Sequence, residues 1–139
     1  MGDSKYILLV DDSRFLRMVY ERVLVKAGYQ VAAVSDGEEA VRLAQEHPPD
    51  LILLDMLLPK MSGPDVLRTL RRCSDTALTP VLVVSSLPQS NEQKLRADGA
   101  TLYCQKSALD LENAPEELVR IVEEAFSLCR AALSKGCGL

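Results

Sequence analysis

The sequence predicts an α/β fold, a three-layer sandwich of helices around a five-stranded parallel sheet. Three observations carry this reading. Five short apolar runs recur along the chain without polar alternation, as strands buried on both faces require. Longer amphipathic stretches separate them and are long enough for crossover helices. Glycines and capping residues mark the boundaries.

The first run, Tyr6-Ile-Leu-Leu-Val10, leads into a helix expected over residues 13–27 that stops at Gly28. The second strand is expected over 31–34. Ser35-Asp-Gly-Glu38 fits a capping box and opens the second helix, which ends near His47, before Pro48-Pro49. Leu51-Ile-Leu-Leu54 is the third strand. Ser62-Gly-Pro-Asp65 opens the third helix, with Pro64 in its first turn. The fourth strand is expected over 80–84, and Ser90-Asn-Glu-Gln93 is a second capping box for a helix closed by Gly99. The fifth strand is expected over 100–104. Asn113-Ala-Pro-Glu116 caps a last helix reaching about Ala132. Its apolar stripe is Leu118, Ile121, Val122, Ala125, Phe126, Cys129 and Leu133. With no repeat or linker, the expected organisation is a short lead (1–4), one domain (5–133) and a tail (134–139) too short to fold or to serve as an output module.

Composition narrows the function classes. The 139 residues suit one domain with a real core. The balance of 16 basic against 20 acidic residues, a net charge of −4, argues against a nucleic-acid or anionic-membrane surface. No apolar run approaches the roughly 18 residues of a membrane helix. The N-terminus has neither signal-peptide nor transit-peptide character, so a cytoplasmic location is expected. Cys73, Cys104, Cys129 and Cys137 form no CxxC pair and stand far from the single histidine, His47. They read as buried or half-buried thiols in a reducing compartment.

The chemistry lies at strand ends. Asp11 and Asp12 follow the first strand, Asp55 the third, Ser85 ends the fourth and Lys106 stands just past the fifth. In a parallel sheet these ends share one edge, where ligands bind at the reversal of strand order. Each aspartate alone reads as a turn residue or a helix cap, Asp12 above all, and a lone Ser or Lys as a solvent-exposed residue. Their coincidence at four of five strand ends favours a site. If the first and third strands are neighbours, three carboxylates meet. At an effective dielectric near 20, a close pair about 4 Å apart costs about 4 kcal/mol. Something positive must sit among them. A hard divalent cation with all-oxygen ligands fits, and Mg²⁺ fits best because it keeps waters and leaves room for a phosphate oxygen. Lys106 supplies a fixed cation and Ser85 a hydroxyl donor.

Leu8-Leu-Val-Asp-Asp-Ser-Arg14, Asp50-Leu-Ile-Leu-Leu-Asp-Met-Leu-Leu-Pro-Lys-Met-Ser-Gly63, Pro80-Val-Leu-Val-Val-Ser-Ser86 and Gly99-Ala-Thr-Leu-Tyr-Cys-Gln-Lys106 together resemble the receiver domain of bacterial two-component response regulators, over about residues 5 to 133. The resemblance implies a flavodoxin-like (βα)5 sheet of order 2-1-3-4-5. It implies that Asp55 accepts a phosphoryl group from a phosphohistidine on a sensor histidine kinase or phosphotransfer protein. Asp11, Asp12, Asp55 and the backbone carbonyl of Leu57 would hold Mg²⁺. Lys106 would bind the phosphoryl oxygens. Ser85 takes the place of the switch hydroxyl and Tyr103 that of the switch aromatic, which turns inward as Ser85 moves. Tyr103 also reads as an ordinary packing residue of its strand. Output would pass to a downstream protein through the surface of the fourth helix, fifth strand and fifth helix. The last helix could also support a homodimer.

Four features depart from the family pattern. Ser107 follows the lysine where proline with a cis peptide is usual, so a trans bond is expected, because a cis non-proline bond costs about 2.5–4 kcal/mol. Ser85 replaces the commoner threonine. Leu57 and Leu87 are apolar beside the path of attacking water, which predicts slow self-dephosphorylation. Residues 108–114 lengthen the loop before the last helix.

Two other readings compete. Haloacid-dehalogenase-type phosphatases also use a strand-end aspartate with Mg²⁺, but they place a second aspartate where this chain has Leu57. A constitutive interaction module with a vestigial pocket would keep the fold and lose the phosphorylation. The preferred reading is a self-assisting phosphoacceptor, not a turnover enzyme.

Overall fold

The computed structural model describes residues 4–86 and 92–136. Elements follow in the order β1 (Tyr6–Val10), α1 (Arg14–Lys26), β2 (Gln30–Val34), α2 (Gly37–Glu46), β3 (Leu51–Leu54), α3 (Gly63–Arg72), β4 (Val81–Ser85), α4 (Glu92–Ala97), β5 (Leu102–Gln105) and α5 (Glu116–Gly136). The strands form one parallel sheet in the order β2-β1-β3-β4-β5.

The unalternating strands have the expected cause. Leu8, Val10, Ile52, Leu54, Val81, Val83 and Tyr103 face one buried cluster, which α2, α3 and α4 complete through Ala40, Val66, Leu67 and Leu95. Ile7, Leu9, Leu51, Leu53, Leu82, Val84 and Cys104 face the other, shared with Tyr20 and Leu24 of α1 and Leu118, Val122 and Ala125 of α5. With both faces covered, every second position is also apolar.

Local capping holds at Ser62, Gly28 and Gly99, and shifts at the starts of α1, α2 and α5. Ser13 caps α1 by accepting from Leu16 N, and Ser62 caps α3 by accepting from Asp65 N. Gly28 and Gly99 take positive φ of 102° and 119° where helices end. For α2, however, the cap is Asp36, whose Oδ1 accepts from Glu39 N at 2.8 Å, one residue beyond the expected Ser35. Asn113 does not cap α5. Its backbone and side-chain N–H groups both donate to the Asp110 carboxylate, and the helix starts three residues later, at Glu116. The helix then runs to Gly136, taking in the first three residues of the expected tail. The fifth strand begins at Leu102 and not at Ala100, because Ala100 N is spent on Leu95 O in closing α4. His47 is the C-cap of α2, as its place before two prolines implied. Cys104 is buried, and Cys73 and Cys129 are half-buried free thiols. The Ser90 capping box, Leu87, Cys137 and the side chain of Leu133 lie outside what is described.

A tight backbone contact positions the loop after β3. A Cβ on Gly37 would lie 2.1 Å from the carbonyl oxygen of Met61 and 2.7 Å from Val66. Gly37 N donates to Pro59 O, and Lys60 Nζ pairs with Asp36 at 3.7 Å. The first turn of α2 thus supports the loop that begins at Asp55. Gly37→Ala is expected to cost about 1–3 kcal/mol through overpacking against backbone that cannot yield. A urea unfolding midpoint equal to wild type would contradict this.

Candidate phosphoryl-accepting site

Strand register brings the predicted carboxylates together. Val10 pairs with Leu54, so Asp11 and Asp55 leave adjacent strands side by side. Each continues the ladder by one step, Asp11 N donating to Val34 O and Asp55 N to Val10 O. Asp12 follows on the solvent side. One oxygen from each of Asp11, Asp12 and Asp55 lies within 4.8 Å of the others. Asp11 and Asp55 are buried and Asp12 is exposed, so the cluster has a closed floor and an open mouth.

Lys106 enters from the far end of the sheet. Its Nζ donates to Asp55 Oδ2 at 3.3 Å and stands 3.3 Å from Asp11 Oδ2. The lysine opens a 3-10 turn, Lys106–Ala108, directly after β5. Among the described residues there is no cis peptide bond, so Lys106–Ser107 is trans, as expected. The ammonium reaches both carboxylates from this backbone.

Backbone groups orient the two carboxylates. Asp11 Oδ1 accepts from Ser13 N at 2.9 Å, and Asp55 Oδ1 from Leu57 N at 3.4 Å. Arg17, one turn into α1, donates from Nη1 to the Asp11 carbonyl at 2.8 Å. Sequence reading missed Arg17; the signal was its place six residues after Asp11, on the helix that the aspartates introduce.

The electrostatics are those of a site short of positive charge. Burial raises the Asp55 carboxyl above its ordinary value, and the neighbouring Asp11 raises it further, against the opposing pull of Lys106 and the Leu57 N–H. Burial opposes the Lys106 charge, but Asp11 and Asp55 together outweigh it, and the ammonium is held above its ordinary value. Burial, then the charges of Asp11 and Asp55, push the Tyr20 phenol far up, so it stays protonated under the sheet edge. Asp11 Oδ2 makes no hydrogen bond and has the Lys106 ammonium at 3.3 Å as its neighbouring cation. A buried carboxylate oxygen that shares one ammonium with a second carboxylate, beside a third that faces water, is a donor set that fits a hard divalent cation. The acidic pocket is therefore able to bind a metal ion.

The remaining predicted residues are placed as follows. Ser85 is fully buried and pairs in register with Gln105, the residue before Lys106, so it lies on the same sheet edge. Tyr103 is only 7% exposed and turned inward, in the apolar cluster that includes Leu95 and Ala100. Leu57 is 57% exposed, two residues past Asp55. Arg71, which sequence reading also missed, ties the end of α3 to the turn after α4. Its Nε and Nη2 donate to Gly99 O at 3.0 and 2.7 Å, and its Nη1 to the carbonyls of Thr76, Ala77 and Thr79.

Comparison with known proteins agrees with this geometry. The sequence profile of the response regulator receiver domain matches residues 7–122. The polar-differentiation response regulator DivK of Brucella ovis is 31% identical over 104 residues, 74% of this chain and 85% of that protein. The alkaline phosphatase synthesis regulator PhoP of Bacillus subtilis is 36% identical over 104 residues, 74% of this chain but 42% of that protein. Among solved structures, the chemotaxis response regulator CheY4 of Vibrio cholerae superposes with a TM-score of 0.76 at 31% identity, covering 85% of this chain and 98% of that one. No described helix is long and apolar enough to cross a membrane. The strand order, the acidic cluster and the profile match lead to one family, and this chain belongs to it: it is a response regulator receiver domain.

Proposed function

We propose that Asp55 is the phosphoacceptor and that its modification switches a protein-binding surface. The observation that carries this is Lys106 Nζ standing 3.3 Å from both the Asp55 and Asp11 carboxylates. An Asp55 oxygen attacks the phosphorus of a phosphohistidine in line. The P–N bond breaks, its electron pair leaves on the imidazole, and an acyl phosphate forms on Asp55. Lys106 meets charge on the phosphoryl oxygens as they leave the donor. Asp11, Asp12, Asp55 and the Leu57 carbonyl are the ligands we assign to Mg²⁺, which when bound offsets the carboxylates and the transferred charge. The donor is a sensor histidine kinase or a histidine phosphotransfer protein, and the chain works as a self-assisting acceptor in the cytoplasm.

The acyl phosphate brings nearly two negative charges and strong acceptor oxygens to this edge. We take Lys106, and Ser85 on the same sheet edge, as the groups that meet them. We assign Ser85 as the switch hydroxyl and Tyr103, buried beneath α4, as the aromatic that couples it to the surface of α4, β5 and α5, because Ser85 and Tyr103 share the β4–β5 ladder two steps apart. A downstream protein reads that surface. The phosphatase alternative lacks its acid/base, since the corresponding side chain is Leu57.

Acetyl phosphate with Mg²⁺ tests the acceptor. Incorporation of phosphate into wild type and none into Asp55→Asn supports it. Equal labelling of the two, or no labelling of either, favours a constitutive interaction module.

The exposed Leu57 side chain cannot orient water toward the phosphoryl group. The purified phosphoprotein is therefore expected to decay over minutes or longer, and Leu57→Asn to shorten that half-life by about tenfold. Decay of the wild type within seconds would refute the role given to Leu57.

A further inference from the structure

The three clustered carboxylates are held unequally. Asp11 is fixed through Ser13 N, and Asp55 through Leu57 N and the Lys106 ammonium. Among the described residues no hydrogen bond or ion pair holds the Asp12 carboxylate, although one of its oxygens lies within 4.8 Å of the other two groups. Asp12 is exposed, so packing does not fix it either. Its placement comes from its backbone.

Arg17 fixes that backbone from both sides. Its own N–H donates to Ser13 O at 2.9 Å, and its Nη1 donates to Asp11 O at 2.8 Å. Asp12 is the one residue between these two carbonyls. The Asp11 carbonyl needs such a donor. Asp11 N extends the β1–β2 ladder to Val34 O, so the next N–H along that parallel ladder would be that of Asp36. Asp36 has left the sheet to cap α2. The guanidinium takes the place of that N–H and closes the ladder. Any residue at this point of the helix would supply the backbone bond, but the Nη1 bond needs a long side chain with a donor at its end.

Two roles are open to a cation here. A counter-charge would hold the Asp55 carboxyl down, yet the groups that move Asp55 are burial, Asp11, Lys106 and the Leu57 N–H. Arg17 forms no ion pair among the described residues. The other role is mechanical.

We propose that Arg17 is a positioning residue for the metal: it pins the Asp11–Asp12 peptide so that the otherwise untethered Asp12 carboxylate is presented to the ion. The inference rests on Asp12 being a Mg²⁺ ligand. Without the pin, the ion has to order the Asp12 backbone as it binds, and affinity falls by the entropy of that ordering.

Calorimetric titration of the unphosphorylated protein with magnesium chloride tests it. Arg17→Met is expected to weaken Mg²⁺ binding by about tenfold, the low end of what loss of a group supporting a ligand costs. Arg17→Lys, which keeps a donor at the end of a long stem, should recover part of the loss. A counter-charge would act with the opposite sign, since removing a cation near the site tightens Mg²⁺. A double-variant cycle shows whether the effect passes through Asp12. Asp12→Ala should weaken Mg²⁺, and Asp12→Ala/Arg17→Met should fall within about twofold of Asp12→Ala alone, because the pin then has no carboxylate to present. A general loosening of the fold would weaken binding in both backgrounds. Urea unfolding without metal shows which variants fold, and if Arg17→Met does not, Arg17→Lys carries the same cycle. Mg²⁺ binding that Asp12→Ala weakens and Arg17→Met leaves unchanged or tightens overturns the role of Arg17 alone. So does a full tenfold loss repeated on Asp12→Ala. Wild type that binds no Mg²⁺, or whose binding Asp12→Ala does not weaken, overturns the ligand set and the role of Arg17 with it.

Discussion

Asp55→Asn is expected to abolish phosphate incorporation and, in the absence of metal, to make the protein more stable. Asparagine keeps the shape but presents a weak nucleophile and no charge. The gain in stability follows from the raised Asp55 carboxyl. A carboxylate whose folded-state value lies above its ordinary 3.8 resists ionisation, so folding is penalised as pH rises above 3.8, and the penalty is complete once pH passes the folded-state value. Burial is its main cause and Asp11 the second. Lys106 already offsets part of the repulsion, and the net gain on removing the charge is about 1 kcal/mol, a fraction of the roughly 4 kcal/mol of a close uncompensated pair. Urea unfolding of the metal-free proteins near pH 7 and near pH 3 measures it. The variant should be ahead at pH 7, with the gap closing in acid. Added Mg²⁺ should stabilise wild type by about 2.7 kcal/mol at a hundredfold excess over its Kd, and the variant by less. A variant less stable than wild type at pH 7 without metal would mean that the site is not short of positive charge.

Lys106→Met should have the opposite effect on the fold and a similar one on the chemistry. The methionine keeps most of the stem and removes the ammonium. Asp11 Oδ2, which makes no hydrogen bond, then loses its one neighbouring cation, and Asp55 loses a hydrogen bond. Breaking a fully buried pair costs about 3–5 kcal/mol. The Lys106 side chain is 23% exposed, so a loss of about 2 kcal/mol is expected here. The pH dependence identifies the cause. The ammonium is held above its ordinary 10.5, so its contribution is complete below that pH and is lost as pH rises through the higher folded-state value. The difference between wild type and variant should therefore shrink above about 10.5, and also in acid as the raised Asp55 carboxyl takes up its proton. Phosphorylation by acetyl phosphate should fall by about 10²–10³, the usual cost of removing a group that meets transition-state charge. A variant labelled at the wild-type rate would remove Lys106 from the phosphoryl-binding role.

The strand ends were legible because each carries a local signal. Leu51–Leu54 was read to the residue, since Asp50 and Asp55 bound an apolar run on both sides. Ser62 was readable as a cap because a cap needs only its own next turn, whereas at α1 the cap is Ser13 and not the Asp12 that the sequence suggested. The misreadings have a different origin. Ser35 is as good a cap by type as Asp36, but the contact of Gly37 with the Met61 carbonyl sets where α2 begins. Asn113 looks like a cap until Asp110 takes both of its donors. Arg17 and Arg71 were missed as site and framework residues, because their acceptors are backbone carbonyls, which no residue type marks; for Arg17 the one signal was its place six residues after Asp11.

By itself the sequence determined the order of helices and strands, their burial on two faces, and which side chains stand at the ends of strands. These follow from patterns and caps that act over a few residues. Only the tertiary structure decided that Asp55 and Lys106, 51 residues apart, share a hydrogen bond, that Asp11 is sealed while Asp12 faces water, and that the loop before α5 opposes α1 across a groove. Adjacency of this kind depends on the order in which strands pair, and that order is chosen by covering both faces of the sheet at once.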